Sequence, residues 1–283
     1  MRATLPCCGV PVPTQLQKAN TFRDLHAAPG AFVIPNPWDG ASARILEAMG
    51  FPALATSSGA SAATLGRRDG ELSRDEALAH AALIVANTSL PVAADLEKCF
   101  ADDPRGAAET IRLAASVGLV GGSIEDATGT ADQPLFDFEL AVERVAAAAS
   151  VARSLPLPFT LTARTESFLY GNPDLDEVIR RLQAFEKAGA DVLFAPGLPD
   201  LAAVQAVCRS VQKPVNFMVA IPGRSFSVAE LSDAGVRRIS LATTLYRSAI
   251  TGFLAAIGEV RDRGTFGFVE TSVPGSELAA YLA

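Results

Sequence analysis

The sequence predicts an α/β protein folded as a closed (β/α)8 TIM barrel, and three features carry that expectation. Eight short apolar runs alternate with helical patterns between residues 31 and 262. Helix patterns end on a glycine directly before the next run, at Gly50-Phe51-Pro52, Gly118, Gly189-Ala190-Asp191 and Gly235-Val236. No Gly-x-Gly-x-x-Gly turn is present, so an open dinucleotide-binding sheet lacks support, and regular eightfold alternation favours closure. The chain has 283 residues and no Pro/Gly/Ser-rich linker, which suits one barrel domain over 1–283. Residues 1–20 read as an N-terminal extension and 265–283 as a tail, with a short helix starting near Pro274-Gly275-Ser276.

The strands are expected at Ala31–Pro35, Ala53–Ser57, Val92–Asp95, Val120–Glu125, Phe159–Arg164, Val192–Ala195, Val215–Val219 and Arg238–Leu241. Each is short, apolar and rich in branched side chains, as strands buried on both faces must be. The clearest helix starts at Asp174, where Asp174 and Glu177 resemble a capping box. Leu175, Val178, Ile179, Leu182 and Phe185 then repeat at helical spacing, and Gly189 ends the pattern.

Composition narrows the function. Hydrophobic residues make up 49% and charged residues 19%, enough apolar material for one large core. The formal net charge is −7 and no basic run breaks it, so neither nucleic acid nor an anionic membrane surface is an expected partner. No window approaches the roughly 20 apolar residues of a membrane span, and the first twenty residues are too polar and Pro-rich for a signal peptide. A cytoplasmic protein is expected. Cys7, Cys8, Cys99 and Cys208 lack metal-site spacing, and the adjacent pair reads as free thiols. His26 and His80 sit in polar, helix-like segments and read as surface residues, which leaves no material for a His-based triad or zinc site.

The chemistry gathers at the strand ends. In a barrel these converge on one mouth. Asp39 follows the first strand, and Ser57-Ser58-Gly59 and Asp69 follow the second. Asp95 and Glu97 follow the third, Glu125 and Asp126 the fourth, and Arg164 and Glu166 the fifth; Asn216 lies within the seventh. Several carboxylates in one cleft repel one another, and a divalent cation relieves the repulsion. Oxygen ligands without Cys or His favour Mg²⁺, or Mn²⁺, with some acids acting through water. The alternative for any single acid is a helix cap. Arg164 ends an otherwise buried run and needs an anion, either Glu166 or a neighbouring acid, or a substrate carboxylate.

Asn36-Pro-Trp38-Asp39-Gly-Ala-Ser-Ala-Arg, Thr56-Ser-Ser-Gly59, Leu65-Gly-Arg-Arg-Asp69-Gly, Asp95-Leu-Glu97, Ser123-Ile-Glu-Asp126 and Thr162-Ala-Arg-Thr-Glu166 together resemble the isocitrate lyase / phosphoenolpyruvate mutase superfamily, in order over about residues 20–250. The resemblance implies a barrel whose last helix is exchanged between subunits of a homo-oligomer, a tetramer or dimer. It implies Mg²⁺ surrounded by Asp69, Asp95, Glu97 and Glu125. A small carboxylate substrate would be held by Ser58, Gly59 and Ala60 and clamped by Arg164, with Trp38, Asp39 and Asn216 also at the substrate. Arg164, Asp69 and Glu125 would be catalytic.

Lyases of the superfamily carry a Lys-Lys/Arg-Cys-Gly-His loop after the fourth strand, whereas this chain reads Ala127-Thr-Gly-Thr-Ala-Asp-Gln-Pro134. The loop Lys and Asn of the mutases are missing too. Where relatives often read Asp-x-Glu-Asn-Gly, this chain has Lys98-Cys99, a lysine that could pair with the acids or reach the substrate and a cysteine that could act as an acid. The expectation is a Mg²⁺-dependent carbon–carbon lyase working through a pyruvate-enolate-like species, with an oxaloacetate-type substrate favoured. The alternatives are P–C bond chemistry, as a mutase or phosphonopyruvate hydrolase, and a catalytically weak carboxylate-binding barrel.

Overall fold

The computed structural model describes residues 12–282. Cys7 and Cys8 lie outside them. The elements run α1 (Gln15–Ala27), β1 (Phe32–Ile34), α2 (Gly40–Ala48), β2 (Leu54–Ala55), α3 (Ser58–Thr64), α4 (Arg74–Ala86), β3 (Val92–Ala94), α5 (Pro104–Ser116), β4 (Gly121–Glu125), α6 (Phe138–Ser154), β5 (Thr160–Arg164), α7 (Leu175–Ala188), β6 (Val192–Phe194), α8 (Leu201–Ser210), β7 (Val215–Met218), α9 (Val228–Asp233), β8 (Arg238–Ser240) and α10 (Thr244–Arg263). A 3₁₀ turn (Gly267–Thr271) and α11 (Gly275–Leu282) follow.

The strands form one parallel sheet in the order β1-β8-β7-β6-β5-β4-β3-β2, and the Ala55 amide donating to the Pro35 carbonyl at 3.1 Å draws β2 back to the end of β1. This is the expected eight-stranded barrel. The strands are shorter than their apolar runs, so Asp95 and Ser57 lie just beyond the ladders, where the backbone turns into loops. Helices start where short polar side chains replace missing backbone acceptors. Thr14, Asp39, Ser73, Asp103, Asp174, Asp200 and Ser227 each cap one. Asp174 accepts from the amides of Asp176 and Glu177, while the Glu177 carboxylate turns to Arg180 and Arg181 and does not close the box.

Residues 15–20 of the expected extension are the start of α1, which covers the N-terminal end of the barrel. Phe22 is fully buried there, in a cluster with Ile34, Ala53, Ala93 and Val120. Gly121 makes room for it, because a Cβ at that position would meet Phe22 Cε1 and the Thr160 carbonyl, both at 2.9 Å.

Both histidines are buried, contrary to the surface placement expected from their polar segments. His26 stacks edge-on against Phe22 and Phe32 and faces Arg238. His80 lies 2.8 Å from the Trp38 carbonyl through Nε2 and 3.0 Å from Ser61 Oγ through Nδ1, tying α4 to the β1–α2 loop and to α3. Arg238 and Trp38 lie far from these histidines in sequence, so local polarity did not signal burial.

At the other end of the chain, α10 has no buried residue and exposes Phe253, Leu254 and Ile257. The tail folds back so that α11 meets α2, with Arg44 donating to the Leu282 carbonyl at 2.8 Å. Among the described residues no helix is long and apolar enough to cross a membrane.

If α1 belongs to the barrel core, Phe22→Ala will cost about 3–5 kcal/mol of stability, the usual range for emptying a buried aromatic site. Urea unfolding measures this. A loss below about 1 kcal/mol, the size of an ordinary surface change, would make α1 a dispensable extension.

Candidate active site

β4, β5, β6, β7 and β8 pair so that Glu125, Arg164, Phe194, Asn216 and Arg238 are neighbours across successive ladders. Arg164 is the centre of this arrangement. Its Nε pairs with Glu166 and lies 3.5 Å from Glu125, and its Nη1 is 3.9 Å from Asp95. The guanidinium also sits 4.9 Å from the Phe194 ring, and its positive charge is held more firmly than usual by Glu166, Glu125 and Asp95 despite burial.

One cation faces more negative charge than it can neutralise. Burial raises the pKa of Glu125 well above the carboxylate range, and Arg164 opposes this only in part. Glu166 is raised for the same reason. Glu97 is pushed up to about 7 by burial and then by Asp95 and Asp69. Asp69 is raised by burial, and the charge of Asp95 adds to the shift. Asp95 is the hub: Oδ2 accepts from the Ser58 hydroxyl at 3.0 Å and amide at 3.3 Å, and Oδ1 accepts from the Glu97 amide at 3.2 Å.

These donors are all hard oxygens, which fits Mg²⁺ or Mn²⁺. Among the described residues no three His, Cys, Asp or Glu side chains converge closely enough to hold an ion by themselves.

Ser58, Gly59 and Ala60 form the first turn of α3, whose leading amides have no acceptor within the helix and therefore point outward. Gly59 is required there: a Cβ would come within 2.9 Å of Thr243 Cγ2 and 3.1 Å of Asp69 Oδ2. Below the mouth, Asp95, Arg164, Asn216, Thr56, Ser123 and Arg238 border a cavity of about 60 Å³. Sites for drug-sized ligands run to roughly 300–1,000 Å³, so a nucleotide is excluded here; Asp69, Glu97, Glu125 and the Ser58-Gly59-Ala60 turn stand at the mouth and do not border this cavity. A much larger groove, about 1120 Å³, opens at the opposite end along Leu155, Pro156, Lys213 and Pro214. It lies at the strand N-termini, and its acid, Asp191, accepts from the Leu161 amide, so its size reflects shape and not chemistry.

Several expected residues do other work. Asp39 caps α2, accepting from the Ser42 amide at 2.7 Å. Asp126 turns away from the mouth to the Glu166 amide at 2.8 Å and to Arg181 at 3.1 Å. Trp38 packs edge-on against Tyr246 at the start of α10. Lys98 bonds Asp102 at 2.6 Å and the Thr128 carbonyl at 2.8 Å, closing the loop after β3 onto the loop after β4. Cys99 is fully buried, with its thiol pushed up to about 12 by burial, so it does not serve as an acid.

The 127–134 loop folds on itself, with the Thr128 amide donating to the Pro134 carbonyl at 2.9 Å. Residues passed over in the sequence include Thr56, Ser123, Phe194 and Arg238, all bordering the cavity, and Tyr170, on the loop after β5. Arg238 alone carried a readable signal, a charge inside an apolar run.

The phosphoenolpyruvate phosphomutase family matches residues 22–261. A Burkholderia cenocepacia protein described as a lyase/mutase has a similar structure, with a TM-score of 0.93 and 50% identity over 95% of this chain and 96% of that one. The oxaloacetate decarboxylase of Bradyrhizobium diazoefficiens is 32% identical over 69% of this chain and 68% of its own length. A 2,3-dimethylmalate lyase of the PEP mutase/isocitrate lyase superfamily superposes with a TM-score of 0.84 at 26% identity, covering 94% of this chain and 95% of that one.

Glu97 yields a pH test. Its pKa is raised on folding, so the folded metal-free protein holds a proton that the unfolded chain releases, and this site costs stability as pH rises from about 4.5 to about 7. Glu97→Gln removes that cost. The melting temperature of the metal-free variant, relative to wild type, is expected to climb across this window, and a pH-independent difference would contradict the placement of Glu97. By sequence and fold, the chain belongs to the phosphoenolpyruvate phosphomutase family, within the isocitrate lyase/PEP mutase superfamily of enzymes.

Proposed function

We propose that the protein is a Mg²⁺-dependent lyase for a small 2-oxo dicarboxylate of the oxaloacetate type. The observation that carries this reading is Arg164, shared among Asp95, Glu125 and Glu166 at the wall of a cavity sized for a small acid. Asp95, Glu97, Asp69 and Glu125 would hold the cation, directly or through water. When bound, it would act as a Lewis acid toward the 2-oxo group and its neighbouring carboxylate.

The chain's own groups supply the rest. The Gly59 and Ala60 amides, at the positive end of α3, hold the substrate carboxylate, while Glu166 and Glu125 fix the Nε side of Arg164 and leave its Nη end toward the cavity. As the C3–C4 bond breaks and CO₂ departs, the electron pair moves to the C2 oxygen and forms the pyruvate enolate. Arg164 meets the negative charge that appears there, and it does so without reorganising, because its carboxylate partners already hold it. Water then protonates C3. No side chain of the 127–134 loop is needed to protonate a leaving group, since CO₂ leaves without one. This is why decarboxylation is favoured over isocitrate-type or P–C cleavage, in which the loop acid or the loop Lys and Asn take part.

Purified protein with Mg²⁺ should convert oxaloacetate to pyruvate and CO₂ above the rate of Mg²⁺ alone, and lose this with a chelator or with Asp95→Ala. It should cleave 2-methylisocitrate at least roughly 10²-fold more slowly, the smallest usual contribution of a positioned acid. Equal or faster 2-methylisocitrate cleavage would overturn the reading.

The bare apolar residues of α10 support a second part of the proposal, a homo-oligomer in which this helix packs on another copy of the chain. Sedimentation should show a dimer or tetramer, and Phe253→Glu with Leu254→Glu should shift it toward monomer. A wild-type monomer at high micromolar concentration would contradict it.

A further inference from the structure

Arg238 opens β8 with its guanidinium inside the barrel, 7% exposed, and all its bonding partners are neutral. Nε donates to Asn216 Oδ1 at 2.8 Å, Nη2 donates to Thr162 Oγ1 at 3.0 Å, and Nη1 faces His26 Nε2 at 3.5 Å. His26 Nδ1 lies 2.8 Å from the Phe22 carbonyl, which only accepts, so Nδ1 carries the proton and Nε2 presents a lone pair. Burial, reinforced by Arg238, pushes the His26 pKa down to about 3, which keeps the ring neutral. Arg238 makes no ion pair with any described carboxylate.

A buried charge with only neutral partners is expensive, and an apolar side chain would fill the space at less cost. What Met at this position could not do is orient Asn216. A guanidinium donates and never accepts, so the Asn216 atom facing Nε is the oxygen, and the amide cannot turn over. Its Nδ2 then donates to Ser240 Oγ at 3.0 Å, and the second hydrogen of Nδ2 has no acceptor among the described residues. Asn216 and Arg238 border the same cavity as Asp95 and Arg164.

We propose that Arg238 is a positioning residue for ligand recognition: it locks the Asn216 amide so that nitrogen, and not oxygen, meets an oxygen-rich acid in the cavity. Turned over, the amide would present a carbonyl oxygen to a carboxylate and repel it. The inference rests on the reading of the cavity as a 2-oxo acid site and adds the residue that sets its polarity.

Calorimetry of oxalate binding in saturating Mg²⁺ tests it through a double-mutant cycle of Arg238→Met and Asn216→Leu, with thermal melting as the check on folding. Each single variant should bind oxalate roughly 10- to 100-fold more weakly, the range for one hydrogen bond to a charged group. The double variant should bind no more weakly than Asn216→Leu alone. If Arg238→Met fails to fold, Arg238→Lys enters the same cycle, because it keeps the buried charge and loses the fork that grips Asn216. Additive losses, or wild-type oxalate affinity in a folded Arg238 variant, would overturn the proposal while leaving the site reading intact. Wild-type protein that does not bind oxalate with Mg²⁺ would sink both.

Discussion

Arg164 shares a single guanidinium among Asp95, Glu125 and Glu166, and beyond the effect of burial the charge of Asp95 adds to the raised pKa of both Glu97 and Asp69. Like charges at this density are tolerable only if some carboxylates keep protons or a cation enters. Burial raises Glu125, Glu166, Glu97 and Asp69 alike, so without a cation each keeps its proton to a higher pH than a free carboxylate does. The mouth is thus poised between protons and a divalent ion. The rest of the barrel serves to keep the acids from moving apart.

The backbone helps to keep them there. Glu97, Cys99 and Phe100 have φ of 51°, 58° and 54°, a left-handed run of side-chain-bearing residues that is costly without support. Support comes from outside the loop. Arg144 on α6 donates to the carbonyls of Lys98, Ala101 and Asp102 while stacking on Phe136, and Thr110 on α5 donates to the Cys99 carbonyl at 2.7 Å. Two barrel helices, α5 and α6, thus hold the loop that carries Glu97. Beside this loop, Gly59 lets α3 come close to Asp69 and Thr243, where an added Cβ would lie 2.9 Å from Thr243 Cγ2.

Much of this was legible in the sequence for one reason: a charge at the end of a run that must be buried on both faces has to meet a partner. That logic located Asp95, Glu97, Glu125 and Arg164, and the eightfold alternation placed them in one mouth. It failed where partners came from elsewhere in the chain. His26 and His80 look polar within their own helices, and only the barrel shows that Arg238, Trp38 and Ser61 enclose them. Asp39 and Asp126 resemble the site acids in sequence, yet one caps a helix through Ser42 and the other binds Arg181 on α7. In Val236-Arg237-Arg238-Ile239-Ser240, strand alternation sends Arg237 outward to the Gly30 carbonyl and Arg238 inward. That distinction requires the register and not the residue types.

Excess carboxylate charge around Arg164 would make the barrel mouth a site for a divalent cation. Anomalous diffraction from crystals soaked in Mn²⁺, collected with and without oxalate, tests it most directly. One strong peak is expected in the barrel mouth, ligated by Asp95 directly or through a single water, with Glu97 and Asp69 on its other sides and higher occupancy when oxalate is present. A mouth free of anomalous density at saturating Mn²⁺, or a peak confined to the groove at the strand N-termini, would contradict it.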